Sequence, residues 1–446
     1  MIDFSSPYFI VTALSVVIIL SYFFNIISEK TNVPSVLMLI ALGLGIRQLL
    51  DQTDAIDTDD LMPLLEVLGI VGLIMIVLEA ALDLKLTREK RGLVLRSMAI
   101  ALLGFILTSL AITFILRYFT DSSLKQALFY AMPMGIISSA IVIPSIGSLD
   151  EERKEFLIYE STFSDIFGIM GFYLAIEFLK ADSGKDLLLS FSWNVLATIA
   201  ISMLLSYILV WLFQRIQSQG KLFLLIAVHI VLYAVGKTFH LSSLLIILCF
   251  GLILNNTKLF FRGKMAAWVK PRSVRRILNE FHLITIESAF VIRTFFFVVF
   301  GVTITITSLF NIRVFLESVV ILAAIYLIRA ILLFVLWKRN IKTELGVAPR
   351  GLITILLFFA IPSEYQIHEF ESGTLLYIIL TSSLLMTMSL ISNKKSDIYD
   401  ELLEEDIDQV KGYKKEVPIK TDSNSDEQND SDSPSSPIRT SKDPKE

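Results

Sequence analysis

The residues able to do chemistry in this chain are ionisable groups set where water is scarce. The densest group is Tyr159-Glu160-Ser161-Thr162-Phe163-Ser164-Asp165-Ile166-Phe167-Gly168, inside an apolar run. On a helix turning about 100° per residue, Ser161 and Asp165 share a face, and Glu160 lies about 140° round from Asp165. The two carboxylates therefore meet different neighbours and are not a pair sharing one proton. One acid can be tied into the structure while the other stays free to titrate. A carboxylate in a poor dielectric is costly as an anion, and either a proton or a dehydrated alkali cation relieves that cost. Proton and cation then compete for one group, which is the minimum that exchange requires. The competing reading is that Asp165 pairs with an arginine on a neighbouring helix, and the spacing alone leaves both open.

Charges deep in a bilayer are costly and mark function by default. The others inside apolar spans are Glu79, Glu287, Arg293 and Arg329, with Arg350 near a span end. Asp83, Glu177, Glu317 and Glu364 read as interfacial, where they can reach water. Two spans are interrupted. Met132 to Pro144 holds Pro133, Gly135, Ser138, Ser139 and Pro144, and Ala348-Pro349-Arg350-Gly351-Leu352-Ile353-Thr354 breaks a later apolar segment. Proline removes a backbone donor, and hydroxyls can replace the missing partner. Interrupted spans at matching places in two halves point to a binding site near the membrane midplane, and a seven-span offset inverts one half relative to the other. Kinks that serve packing alone are the plainer alternative.

The elements that must carry these residues are membrane helices. The chain has 446 residues, 54% of them apolar and 18% charged, with mean hydropathy +0.69. A soluble domain carries about 25% charge. The last 53 residues, from Lys394, hold 9 basic and 15 acidic groups, so the first 393 are more apolar still. A soluble enzyme, a nucleic-acid binder and a disordered protein are excluded. The reading is an all-α polytopic membrane domain over 1–393 and a disordered cytoplasmic tail over 394–446.

About 20 apolar residues cross the hydrocarbon as a helix. Thirteen candidate spans follow, at 8–27, 34–50, 62–84, 95–117, 124–148, 155–179, 189–213, 221–237, 240–256, 282–305, 312–337, 348–364 and 373–392. With the N-terminus outside, the inside loops hold 20 Lys and Arg and the outside loops 7. The positive-inside rule selects N-out, C-in, in a cell (inner or plasma) membrane.

Enzymatic motifs are missing. His368-Glu369 lacks a second histidine, no phosphate-binding Gly-rich loop exists, and the acidic run Asp51 to Asp60 reads as a solvated loop. The single Cys249 allows no intramolecular disulfide. No cofactor is expected, and no metal beyond a transported cation.

Four stretches resemble the monovalent cation/proton antiporter superfamily, the sodium/proton exchangers and their relatives. They are Asn32-Val33-Pro34-Ser35 leading to Gly43 and Gly45; Leu68-Gly69-Ile70 through Leu82-Asp83-Leu84-Lys85; Glu160-Ser161-x-x-Ser164-Asp165; and Pro349-Arg350-Gly351-Leu352. The similarity spans residues 8 to 392. It implies a fold of inverted repeats with two broken crossing helices, a mobile core domain, a dimerisation domain and a homodimer in the bilayer. It implies that Asp165 binds proton and cation in turn, with Ser161 and Ser164 beside it, and that Glu160 forms a buried ion pair with Arg329. Ser138, Ser139, Pro144 and Arg350 would belong to the broken-helix region, with Arg350 balancing helix-end charge.

Two departures from the family pattern bear on selectivity. Ser164 stands where an Asn is usual. The Thr-Asp-Pro of the first broken helix is replaced by Ser138-Ser139-Ala140, closer to the potassium-efflux branch. Sodium and potassium both remain as substrates, and one free carboxylate implies one-for-one exchange. Glu79 could add a second acid or pack against a polar neighbour. A sodium-coupled solute symporter of similar inverted-repeat fold is the alternative function, and a non-transporting membrane receptor or scaffold is a third class.

Overall fold

A computed structural model of the chain describes residues 7–31, 33–50, 62–84, 86, 89–180, 187–214, 224, 226–228, 230–231, 243–261, 271–303, 310–337, 341–367, 370–371 and 373–393. The expected span at 221–237, the acidic loop at 51–60 and the tail fall largely or wholly outside these. The described part is all-helical, with no strand. In chain order the helices are α1 (Pro7–Thr31), α2 (Ser35–Leu50), α3 (Met62–Asp83), α4 (Arg91–Phe119), α5 (Leu124–Met134), α6 (Ser139–Ser145), α7 (Glu151–Lys180), α8 (Leu187–Phe213), α9 (Ser243–Asn255), α10 (Thr257–Phe260), α11 (Pro271–Thr303), α12 (Ile312–Leu332), α13 (Lys342–Gly346), α14 (Leu352–Phe359) and α15 (Gly373–Asn393). Six helical stretches among the described residues are long and apolar enough to cross a membrane. The chain is a multi-pass membrane protein.

The helices pack in two groups. In one, α11 lies against α2 and α3, and α9 lies against α3 and α8. In the other, α4 lies against α5, α7 and α12, with α14 on α5. The groups meet where α3 touches α7 and α14, α9 touches α7, and α1 touches α6. Close backbone approach is set by small residues. A Cβ on Gly43 of α2 would stand 2.8 Å from the Cα of Gly301 on α11, and 2.3 Å from the Val298 carbonyl oxygen.

Two interrupted helices lie inside the second group. The first starts with a capping box, Ser123 with Gln126, and runs as α5 to Met134, with Pro133 in its last turn and Gly135 as its C-cap. The chain is extended through Ser138 and resumes as α6. The second is α13, then a non-helical stretch over 347–351, then α14. The span expected over 348–364 is thus a helix of only eight residues. That is about 12 Å of rise, too little to cross the hydrocarbon unaided. The two breaks touch: the Ser138 N–H donates to the Pro349 carbonyl at 2.9 Å.

Candidate functional site

Helix α7 presents the four polar residues singled out from the sequence. Glu160, Ser161, Ser164 and Asp165 are each at most 2% exposed. They do not point to one place. Glu160 meets Arg329 of α12 in a two-pronged pair, Nη1 to Oε1 at 2.6 Å and Nη2 to Oε2 at 3.0 Å. The rest of the guanidinium fork donates to main chain: Nε and Nη2 to the Glu344 carbonyl at 3.0 and 2.7 Å, and Nη2 to the Val347 carbonyl at 3.0 Å. This matches donor geometry to acceptor geometry on every side, which a buried pair needs to offset its desolvation.

Asp165 has a different environment. Its Oδ2 accepts from the Ser139 backbone N–H at 3.2 Å and from the Ser139 hydroxyl. Its Oδ1 is buried without a hydrogen-bond partner. Among the described residues no Lys, Arg or His pairs with Asp165. The arginine that could have neutralised α7 is taken by Glu160.

The first break supplies Asp165 with its donor because α7 holds the break in register. Ser164 Oγ, on the residue before Asp165, accepts from the Ile137 N–H at 2.9 Å. Gly168 makes room for the break: a Cβ there would stand 2.2 Å from Cδ1 of the fully buried Ile136. Ser161 turns away from the aspartate and donates to the Leu157 carbonyl of its own helix at 2.7 Å. The Ser138 hydroxyl is buried beside Gly351, without a partner.

Arg350 ties the two breaks together. Its Nε donates to the Met134 carbonyl at 3.0 Å and its Nη1 to the Ala348 carbonyl at 2.5 Å, while its N–H donates to Ser382 Oγ at 3.0 Å. A cation is thereby aimed at the C-terminal carbonyl end of α5, where helix dipoles favour positive charge.

A cavity of about 450 Å³ lies between the two helix groups, lined by Glu79 and Asp83 of α3, Glu287 and Arg293 of α11, and Ser139 and Pro144 of α6. Glu79 faces Arg293 at 3.4 Å, and Asp83 Oδ1 lies 2.7 Å from His282 Nε2. Ser139 lies on the cavity wall with Asp165 behind it. A second void of about 10 Å³, near the room one water needs, lies directly against Asp165 and shares Ile76 and Ala80 with the large cavity. Glu317, expected at the interface, is instead 5% exposed on α12. It carries no part of this site. Residues that sequence reasoning passed over are Arg153, Glu344 and Asn393, whose contacts join segments far apart in the chain.

A free buried acid beside a polar cavity, held at the meeting of two broken helices in a multi-pass bundle, is the architecture of a membrane ion transporter. Residues 14–392 match the model of the transmembrane sodium/hydrogen exchanger family, and the chain belongs to that family. This is a family of cation/proton antiporters and not of enzymes. The fold is similar to that of the sodium proton antiporter MjNhaP1 from Methanocaldococcus jannaschii. Its structure at pH 8 superposes with a TM-score of 0.62 at 20% identity, covering 85% of this chain and 95% of that one. An electron-microscopy map of the same antiporter gives 0.62 at 19%, covering 86% and 95%. Comparison with curated proteins returns no match.

Proposed function

We propose that this chain exchanges Na⁺ or K⁺ for H⁺ one for one by alternating access, with Asp165 binding proton and cation in turn. The observation that carries the reading is the state of the Asp165 carboxylate. It is buried, free of any ion pair among the described residues, and bridged to the cavity by Ser139, while Oδ1 has no partner. A buried anion so placed needs a proton or a cation. Ser139 is the group able to hand its hydroxyl from the carboxylate to an arriving cation. Glu160 and Arg329 form the fixed ion pair that holds α7 to α12, and Arg350 balances the helix ends at the crossing. Ser164 fixes the break, and Ser161 supports α7 itself.

The cavity lies at the ends of α1, α3 and α6. By the bias of basic residues in the loops these ends face the cytoplasm, so the arrangement is the one in which Asp165 is approached from inside. Glu79 serves as the partner of Arg293 in the cavity wall. The exposed apolar face of α1, including Val11, Leu14 and Ile19, is surface for lipid or for a second copy in a homodimer. The alternative, a sodium-coupled solute symporter, would bind an organic ligand in the cavity that Ser139 lines. The test is proton movement in sealed vesicles carrying a pH-sensitive dye. Dequenching on addition of Na⁺ or K⁺, lost in Asp165→Asn, supports the reading. Solute-dependent uptake with no dequenching would favour the symporter.

A further inference from the structure

Glu344 is gripped twice from α7, and this second grip has no counterpart in the site described above. Arg153 and Glu160 are seven residues apart on α7, about two turns, and so share one face. Glu160 reaches Glu344 through Arg329, which donates to the Glu344 main-chain carbonyl at 2.7 and 3.0 Å. Arg153 reaches the Glu344 side chain directly, Nε to Oε1 at 3.5 Å. The Glu344 carboxylate is 1% exposed. Arg153 is itself steered by Asp150 at 3.1 Å and by Asn393 Oδ1 at 2.9 Å, and Asn393 also accepts from Thr343 Oγ1 at 2.9 Å. α13 is also pressed against α15: a Cβ on Gly346 would stand 2.4 Å from the Ser389 Cβ, and Ser389 Oγ donates to the Thr343 carbonyl at 3.1 Å.

These contacts fix where the second break begins. Three residues after Gly346 comes Pro349, whose carbonyl takes the Ser138 N–H, and Ser139 is the donor to Asp165. A displacement of Glu344 is therefore passed through Pro349 and Ser138 to the ligand of the exchanging carboxylate. We propose that Arg153 and Glu344 are positioning residues for exchange: a second ion pair, two turns from the first on α7, that sets the second broken helix against the cation site. The proposal rests on the exchange reading above. A buried carboxylate whose ion-pair partner, Arg153, lies on another helix is an expensive group to keep for packing alone.

The experiment is a double-mutant cycle on the full chain in vesicles: wild type, R153Q, E344Q and R153Q/E344Q. The readouts are the cation KM and kcat from the pH dye, and the rise in melting temperature that Na⁺ or K⁺ produces in detergent. Each single change should raise KM about threefold to tenfold, keep kcat within about twofold, and shrink the cation-induced melting shift. The double variant should be no worse than either single, because both act through one contact, and Glu344→Asp should restore part of the loss. Arg153 is 25% exposed, so R153Q remains a usable test if E344Q fails to fold. Wild-type KM in both singles, or a double variant whose KM is raised by the product of the two single effects, overturns the proposal. A wild type that shows no cation-driven proton movement would instead sink the exchange reading, and the cation-induced melting shift would then decide the positioning claim by itself.

Discussion

Ser139 bridges α6 to α7 by donating both its N–H and its hydroxyl to Asp165, and of the two residues it is Ser139 that lines the large cavity. The hydroxyl stands between the acid and the solvent-sized space. In the proposed exchange, a cation arriving from the cavity would meet Ser139 first, and binding would require the hydroxyl to present its oxygen to the ion in place of its hydrogen to the carboxylate.

Ser139→Ala keeps the backbone donor and removes the hydroxyl. One charge-assisted hydrogen bond contributes about 1.5–3 kcal/mol. The cation KM should rise about tenfold, with a smaller effect on kcat. Initial rates of dye dequenching across a cation titration check this; an unchanged KM would mean that the hydroxyl does not ligate the ion.

In the proposed exchange, competition for one carboxylate sets the sign of the pH dependence. A protonated Asp165 cannot take a cation, so the apparent cation KM rises as pH falls, approaching about tenfold per pH unit at the acid end. At saturating cation the rate should recover. A KM flat from pH 6 to 9, with only the maximal rate changing, would contradict shared occupancy of one group.

The Glu160–Arg329 pair should govern stability more than exchange chemistry. Arg329→Ala strands a buried carboxylate and should cost about 3–5 kcal/mol, seen as a lower melting temperature in detergent. Replacing both partners by Met should recover part of that loss, because no unpaired charge then remains. Equal melting of Arg329→Ala and the unaltered chain would argue against this account of the pair.

Gly168→Ala tests the link between α7 and the first break. Alanine adds about 1 kcal/mol of helix propensity, but its Cβ would stand 2.2 Å from an Ile136 side chain that is fully buried. Overpacking of this kind costs about 1–3 kcal/mol and displaces the break. Exchange should fall together with melting temperature, and the paired change Gly168→Ala with Ile136→Val should regain some of both.

Much of the architecture is legible because membrane helices advertise themselves by length and apolarity. The pairs Pro133 with Gly135 and Pro349 with Gly351 mark the breaks, since proline and glycine act locally on the backbone. The five-residue step from Glu160 to Asp165 is enough to send the two carboxylates to different partners, Arg329 and Ser139. The rest depends on contacts across long sequence separations. Nothing local pairs Arg153 with Glu344, or brings Ser139 from another helix to meet the aspartate. Glu317 reads as interfacial because it lies near a span end, yet it packs into the protein. Hydropathy reports depth along a helix and not which side of the helix faces protein.

The central claim is that one carboxylate carries both ions. The most direct measurement is proton movement in vesicles containing Asp165→Asn, compared with the unaltered chain under Na⁺, K⁺ and Li⁺ gradients, with folding checked by melting in detergent. The account predicts a folded variant with no cation-driven dequenching for any of the three. Exchange at the unaltered rate in that variant would contradict it.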